Sequence, residues 1–589
     1  MASSPACTCT VCPVHAHQPR SAVDTGLDAW PQWTNPTLDH LASVVAWLDG
    51  PEAMAAGHGV LEAHLQVDSR ETYRLLLQGH LDERARREPR RPGLTGADGV
   101  PRPRVENGHD RGLMSVFGPV TVTRKAYRAT PVSARPVSVG PEDTTTDRAA
   151  VPVEGNLHPA DVVLNLPPGR HSAGLARLAV TEAARGSYQD ARAAIQRATG
   201  VVLGKRQVED LARHAACDVS AFYTARMPEP APDLVLGLQC DGKGIVMRPG
   251  SLRPDTAKAA ARASSKLSTR LSPGEKHGRK RMAEIVAVYD LDPAPRTVED
   301  ILPSPGPAQQ HPTARRPGPV VTGKWLSANV IDDIPTVIAG MIDEAERRDP
   351  DHERTWVALL DGNNTQLDAI TAQAAARGVT ITIIIDVIHV LEYLWEAAWT
   401  LYPPGEPEAQ TWVAGHARHV LAGQANAVAD AITAQADAGG FRGRERTGAD
   451  KAAAYLRAKA PYLDYPTALA RGWQIATGII EGAARYMIKD RMDITGARWS
   501  TDGAQAVLAL RAVIANGDLD AYWHFHQQQE LRRNHLDHYH EEFDLAASPI
   551  FRSLRRSRTP FEKIPCRPRR RGRRRSRSRL HPRDPTRNG

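Results

Sequence analysis

The chain has 589 residues, 41% apolar and 24% charged, which is enough for several domains with sizeable cores. It holds no apolar run near the roughly 18 residues that a membrane span needs, no charged-then-apolar export signal at its start, and only six cysteines, too few for a disulfide framework, so a cytoplasmic protein without membrane partners is expected. The formal charge of +8 belongs to the tail: residues 552–589 carry 16 Lys and Arg against 2 acidic residues, which leaves the rest of the chain at −6, so nucleic-acid contact has to be argued from local patches.

Residues 1–30 show little apolar periodicity and are expected to be disordered. Cys7, Cys9, Cys12, His15 and His17 fall close together there, but the spacing is too tight for a usual zinc finger and no second ligand pair follows. Residues 31–155 read as a helical region with a short β segment and a linker. Leu41, Val44, Val45 and Leu48 share one helix face, as do Leu61, Leu65, Tyr73, Leu76 and Leu77. Phe117 to Tyr127 alternates like a strand, and residues 130–155 are rich in Pro, Thr and Ser. Residues 156–228 read as consecutive helices. Ser187 with Asp190 is an N-cap signal; the helix from Tyr188 stops at Thr199-Gly200, and another is expected from Lys205 to Tyr223. Helix, glycine turn, helix is a helix-turn-helix layout, with Lys205 and Arg206 where phosphate or base contacts are made. An αα-hairpin with a solvated basic end has the same pattern.

Leu234 to Cys240 is an apolar run with the pattern of a buried strand, expected to end at Asp241-Gly-Lys-Gly244. Gly242 and Gly244 let backbone or a ligand approach the carboxylate, although many strands end in Asp-Gly only to turn. Ile245-Val-Met247 is expected to return as the second strand of a hairpin. Residues 253–281 then carry nine Lys and Arg against two acidic residues, with Arg262, Lys266 and Arg270 on one helix face, which suits either phosphates or plain solvent. Glu284 to Tyr289 is a further strand, and Pro293 to Pro319 is expected to be irregular. Thr355 to Leu360 repeats the pattern of apolar strand and then Asp361-Gly362, and Val379 to Ile385 leads into Asp386-Val-Ile-His389.

Strands alternating with helices predict a mixed α/β sheet over 229–402. An Ala-rich, all-α insertion over 403–475 interrupts it, and the domain resumes over 476–528, where Glu481 lies on a helix. Two strand-end aspartates and a helical glutamate suit two Mg2+ ions, hard cations that take carboxylate oxygens. Arg485 and Lys489 follow Glu481 on its helix face, and Lys243 follows Asp241; each is placed to clamp a phosphate strand or to be ordinary surface charge. Residues 529–589 are expected to form an arginine-rich disordered tail.

Several short motifs carry a family likeness. They are Phe117-Gly-Pro-Val with Tyr127-Arg128, Leu164-Asn-Leu-Pro167, Lys205-Arg-Gln207, Asp241-Gly-Lys-Gly244, Leu360-Asp-Gly-Asn363, Asp386-Val-Ile-His389, and Glu481-Gly-Ala-Ala-Arg485 through Arg491-Met-Asp493, Gly496 and Arg498-Trp-Ser500. In this order, from about residue 60 to 525, the chain resembles the bacterial insertion-sequence transposases of the ISKra type. These are DDE transposases with an RNase H-like fold, akin to the mutator-like and hAT groups. The resemblance implies an RNase H-like α/β sheet with an all-α insertion, and Asp241, Asp361 and Glu481 as the catalytic, metal-holding triad with Mg2+, for which Mn2+ substitutes. Asp361 and Asp386 both end apolar strands, so position alone does not choose the second aspartate; Asp386 is placed to cap a helix, and the resemblance puts the second aspartate at Asp361 and leaves Asp386 and His389 as support behind the triad. The expected DNA contacts are Lys205, Arg206, Lys243, Arg485, Lys489 and Arg498. The partners implied are double-stranded DNA, both terminal inverted repeats and target, and further copies of the chain, on the nucleoid. A DNA-binding protein with a helix-turn-helix and an inactive RNase H-like body is the alternative, and a nuclease that cuts without joining shares the same site.

Overall fold

The apolar runs over 235–246, 283–291, 356–360 and 381–385 carry too few polar side chains to face water on either side. In the computed structural model they lie in one five-stranded sheet with helices on both faces. The structure describes residues 30–130, 155–263, 275–276, 278–302, 315–494 and 496–540. The N-terminal Cys and His cluster, most of the 130–155 linker, Lys266, Arg270 and the arginine-rich run beyond residue 540 lie outside the described residues.

The chain enters through a helical hairpin, α1 (Asn35–Leu48) and α2 (His58–Arg86), and a two-stranded sheet, β1 (Arg104–Ser115) and β2 (Gly118–Arg128). The shared apolar faces of the hairpin are only partly covered: Leu41, Val45, Leu65 and Tyr73 are exposed, Val44, Leu48, Leu61, Leu76 and Leu77 are partly buried, and only Leu81 of the α2 apolar side chains is buried. Three helices follow, α3 (Ala173–Arg185), α4 (Tyr188–Thr199) and α5 (Lys205–Ala215). The capping box of Ser187 and Asp190 starts α4 as expected. The helix expected to run from Lys205 to Tyr223 breaks after Ala215 and restarts as Val219–Ala225, because Asp218 at the break is engaged by His526 and Arg533 instead of facing water.

The large sheet runs β5–β4–β3–β6–β7. β3 (Val235–Val246) pairs antiparallel with β4 (Lys280–Asp292), which pairs antiparallel with β5 (Val320–Asn329). On its other side β3 pairs parallel with β6 (Trp356–Leu360), and β6 pairs parallel with β7 (Ile381–Ile385). Four helices tied to the sheet complete this part: α6 (Ile334–Arg348), α7 (Asn364–Arg377), α8 (Val387–Leu401) and, after the insertion, α9 (Gly478–Ala483). The insertion is helical as expected, with helices Pro407–Leu421, Ala425–Ala438, Thr447–Lys459 and Tyr465–Ala470. Beyond α9 come α10 (Thr501–Ala515) and α11 (Leu519–Asn534).

Alternation along β3 sorts the layers. Leu236, Leu238 and Cys240 share a core with α3, α4, α5 and α6, whereas Tyr289, Ile285 and Ala287 on β4 face Ile480, Met487 and Val507 on the opposite side. The helices at 173–225 therefore share a core with the sheet. The folded chain also runs past the expected boundary at 529: Leu531 and His535 are buried, and Ala97 N donates to His538 O at 2.9 Å. The apolar stripe of α11 keeps that segment on the body before the basic run begins.

The strand expected to stop at Asp241 does not stop. β3 continues to Val246 and stays paired with β4 through Val246 and Lys280, so Ile245-Val-Met247 is the same strand and no hairpin turn falls at Gly242. The glycines of β3 answer to crowding from β4. A Cβ on Gly237 would lie 2.2 Å from the Tyr289 ring, and one on Gly244 2.7 Å from the Lys280 side chain. Tyr289 is wholly buried and cannot move aside, so Gly237→Ala is expected to lower stability by about 1–3 kcal/mol, read from the urea midpoint. An unchanged midpoint would show that the Tyr289 ring has room to shift.

Candidate active site

Three strands present carboxylates at one edge of the sheet. β3 is paired with β6 only from Leu236 to Gln239, so Asp241 lies just past the end of the parallel pairing. Asp361 follows the last residue of β6, and Asp386 follows the last residue of β7. The carboxyl ends of parallel strands are where open α/β sheets bind ligands. Val357 and Leu359 belong to one core while Trp356, Ala358 and Leu360 belong to the other. The same period places Gln239, Asp241 and Asp361 on one face of the sheet.

Glu481 comes to that face on α9. Gln239, fully buried, holds it there: its Nε2 donates to Tyr289 Oη at 2.8 Å and to Gln474 Oε1 at 3.2 Å, and its Oε1 accepts from Ile480 N at 3.0 Å. The backbone N–H beside Glu481 is thus bonded to a side chain two residues before Asp241. Beyond Ala483 the helix widens into a π turn over Ala484–Lys489. Arg485 and Lys489 are exposed along with Glu481, on the solvent side of this segment.

Asp386 is fully buried and caps α8, with Ile388 N donating to Oδ1 at 2.8 Å. Its Oδ2 accepts from Thr477 N at 3.1 Å and from Thr477 Oγ1. Thr477 Oγ1 also reaches Glu481 Oε1 at 3.4 Å. The capping role expected of Asp386 is therefore present, and it extends to the turn that precedes Glu481. Asp361 is only half buried; Oδ1 accepts from Asn363 N at 2.8 Å, and Oδ2 has no hydrogen bond among the described residues. Asp386, His389 and Glu481 bring one ligand atom each to within 4.8 Å of one another, close enough to share a cation. His389 also meets Glu392 Oε2 through Nδ1 at 3.1 Å.

The electrostatics join these groups. Burial raises the Asp241 carboxyl above its ordinary value; Lys243 draws it back, the negative charge of Asp361 raises it, and His389 lowers it. A fifth carboxylate, not singled out in the sequence, stands behind the strand. Glu284 lies opposite Gly242 in the β3–β4 register, on the reverse face from Asp241, and donation from Gln366 Nε2 at 2.5 Å holds it. A Cβ on Gly242 would come within 3.2 Å of Glu284 Oε2, so the glycine makes the room. Burial pushes Glu284 up to about 7, Gln366 opposes this, and the charges of Asp241 and Asp361 add to it.

The helical insertion reaches the same edge. Tyr455 Oη donates to Asp361 O at 3.3 Å, Tyr455 stacks on Tyr393 with ring centroids 3.8 Å apart, and Lys459 Nζ bonds Asn364. A cavity of about 350 Å³ opens here, with Asp361, His389, Glu392, Glu396, Tyr393 and Tyr455 in its wall. Ala-rich helices give no sequence signal for Tyr455 or Lys459, and only the contact with the Asp361 loop marks them.

The other candidates are spread out. Lys243 is exposed beside Asp241. Arg498 is exposed in the segment whose Trp499 N donates to Val246 O at 3.1 Å, at the far end of β3. Lys205 and Arg206 are exposed in the first turn of α5. Arg491 of the Arg491-Met-Asp493 motif is a packing residue: it is buried, donates to Ala183 O at 2.8 Å and stacks over Trp499 at 4.7 Å.

Two substitutions test this wiring. Gln239→Leu strands the Ile480 N–H in an apolar layer, and a loss of about 1–3 kcal/mol in the urea midpoint is expected; no loss would mean that the amide is not a tie. For Glu284, the folded protein holds the proton more tightly than the unfolded chain does. Its contribution is therefore full below about pH 4.5 and is lost as pH rises through about 7. In EDTA, Glu284→Gln is expected to remove a pH-dependent loss of about 3 kcal/mol between pH 5 and 8, compared with the unsubstituted chain. Parallel stability curves for the two proteins would contradict the assignment.

No protein-family model matches this chain, and no curated protein is significantly similar to it.

Proposed function

We propose that the chain is a DNA transposase of the DDE type that cuts and joins element ends by metal-dependent phosphoryl transfer, with Asp241, Asp361 and Glu481 as the catalytic residues. The observation that carries the reading is the meeting of three elements, from parts of the chain about 120 residues apart, at one end of a mixed sheet: Asp241 and Asp361 share a face there, and the helix of Glu481 is tied to β3 through Ile480 and Gln239. Three antiparallel strands followed by two parallel ones, in the order β5–β4–β3–β6–β7, fit an RNase H-like sheet. The sequence motifs that resemble the ISKra-type transposases fall on these same residues.

The donor set suits Mg2+. Carboxylate oxygens outnumber the single imidazole of His389 at this edge, one oxygen of Asp361 is uncommitted, and the mutual repulsion of Asp241 and Asp361 is the kind that a cation relieves. Two such ions, when bound, supply Lewis-acid activation of the attacking and leaving oxygens of an in-line displacement. The protein's own part is positioning. Asp241 is fixed by a strand paired along its whole length with β4, and Glu481 is fixed by the Gln239 amide and the Thr477 hydroxyl. Lys243, Arg485 and Lys489 lie exposed beside Asp241 and Glu481, where they meet a phosphate backbone as charge-assisted donors. Lys205 and Arg206, at the start of α5, are the proposed contacts of a helix-turn-helix with the DNA ends, and Arg498 a further one. The chain is proposed to act on double-stranded DNA as a homo-oligomer. Among the described residues no helix is long and apolar enough to cross a membrane.

Cleavage of end-containing duplex DNA in Mg2+ or Mn2+ tests this. Asp241→Ala, Asp361→Ala and Glu481→Ala are each expected to abolish cutting while DNA binding persists, since losing one ligand disables a shared site. Asp386→Asn, which disturbs the cap and the Thr477 contacts, is expected to lower stability and to reduce activity only in part. An active Asp361→Asn beside a stable but inactive Asp386→Asn would transfer the second catalytic role to Asp386.

A further inference from the structure

Away from the sheet edge, the last turn of α5 meets α11 in a second group of ligating side chains. His526 and Glu530 are four residues apart on α11 and so lie on one helix face. His214, in the last turn of α5, faces them: its Nε2 is 2.9 Å from Glu530 Oε2, and its ring centroid is 5.8 Å from that of His526. The three bring one ligand atom each to within 4.8 Å of one another. His526 and Glu530 are buried, while His214 is half exposed at the wall of a cavity of about 440 Å³ whose lining also includes Asp210 and Gln207.

We propose that His214, His526 and Glu530 form a transition-metal site, with Zn2+ as the fitting ion, that pins the end of α5 to α11. Two imidazoles and one carboxylate, two of the three at a spacing of four on one helix, are a recurrent zinc donor set, and the cavity admits water as the fourth ligand. The orientation of His526 is the second observation. Its Nδ1 is 2.6 Å from Asp218 Oδ2, and Arg533 grips both oxygens of Asp218 at 3.0 and 2.7 Å. A carboxylate on the far nitrogen is what holds a metal-ligating histidine in one tautomer, and it leaves Nε2 as the lone-pair atom. That Nε2 has no hydrogen-bond partner among the described residues, although His526 is only 3% exposed. Glu530 is likewise steadied through Oε1 by Arg533 at 2.8 Å, and its Oε2 accepts from Asn534 Nδ2 at 2.8 Å while turning its other lone pair toward His214. Two atoms about 2.0–2.1 Å from one tetrahedral ion stand about 3.3 Å apart, so the His214–Glu530 contact needs to open by only a few tenths of an ångström. Asp218 and Glu530 together outweigh Arg533 by one negative charge, which favours a dication. Cys217, Asp218 and His526 also bring ligand atoms to within 4.8 Å of one another, but Arg533 already holds both oxygens of Asp218.

The test uses the full-length chain with the competing candidates removed. Cys7→Ser, Cys9→Ser and Cys12→Ser silence the N-terminal cluster, and Asp241→Asn, Asp361→Asn and His389→Ala together silence the sheet edge. After EDTA treatment and dialysis, this protein is expected to take up one Zn2+ per chain, measured by competition with a chromophoric chelator, and to give the visible bands of four-coordinate Co2+. Adding His214→Ala, at a half-exposed position, is expected to keep the metal-free urea midpoint while weakening Zn2+ at least about 100-fold. Glu530→Gln is expected to weaken Zn2+ too, and Asp218→Asn to weaken it about 10–100-fold through His526. No uptake by the background protein, or uptake that His214→Ala leaves unchanged, overturns the site. Because the sheet-edge aspartates are absent throughout, the outcome is independent of the proposed transposase activity.

Discussion

A single buried amide connects the two halves of the candidate site. Gln239 stands on the central strand with no access to water, and it spends both N–H groups and its carbonyl on Tyr289, Gln474 and Ile480. A buried polar network of this kind is costly when any member is unsatisfied, which makes it selective for one arrangement of its members. Here the arrangement it selects sets the start of the Glu481 helix against the strand that carries Asp241. Tyr289 Oη closes the set by donating to Gln474 Oε1 at 2.7 Å, and its ring fits only because residue 237 has no side chain. The sheet gives Asp241 its direction, and the amide network gives Glu481 its distance.

Charge repulsion is handled around this frame. Asp241 and Asp361 sit on one face of adjoining strands, and Glu284 lies behind them with its carboxyl pushed up to about 7 by burial. Asp386, by contrast, spreads its charge over donors from Ile388 and Thr477 and serves as the joint between β7, α8 and the turn before α9. The four aspartate and glutamate side chains nearest the edge therefore have different environments, and it is those environments, more than the residue type, that separate an open ligand from a structural cap.

Much of this was legible in the sequence. The apolar run into Asp361, the capped helix after Asp386 and the helical setting of Glu481 all follow from local pattern, because in each case the carboxylate falls where an element ends or begins. Asp241 was legible as a candidate at the end of an apolar run but not as a mid-strand residue. Gly-Lys-Gly suggests a turn when read locally, whereas its glycines make room for Glu284 and Lys280 on the neighbouring strand, a cross-strand cause that a linear reading does not contain. Glu284 looked like an ordinary strand residue for the same reason. Tyr455 and Lys459 sit in helices whose composition says only that they are helices, and β1, with its Arg, Glu, His and Asp, has too little apolar alternation to read as a strand. The hairpin of α1 and α2 shows the limit of periodicity: it is helical as read, yet its stripe of Leu and Val is only partly covered, because period reports amphipathicity and not what covers it.

The bond between Gln239 and Ile480 spans 241 residues, and this has a consequence for the order of events on the ribosome. At a synthesis rate of about 5–20 residues per second, roughly 10–50 s separate the emergence of the central strand from that of the helix that completes it. During that interval the layer made by Ile285, Ala287 and Tyr289 has no Ile480, Met487 or Val507 to cover it. The strands can pair and the other face can pack, but the nascent sheet carries an open apolar surface with an unsatisfied amide at its centre until the whole insertion has been made. Folding of this domain is therefore largely a post-insertion event, and the carboxylates cannot assemble into a site on an incomplete chain.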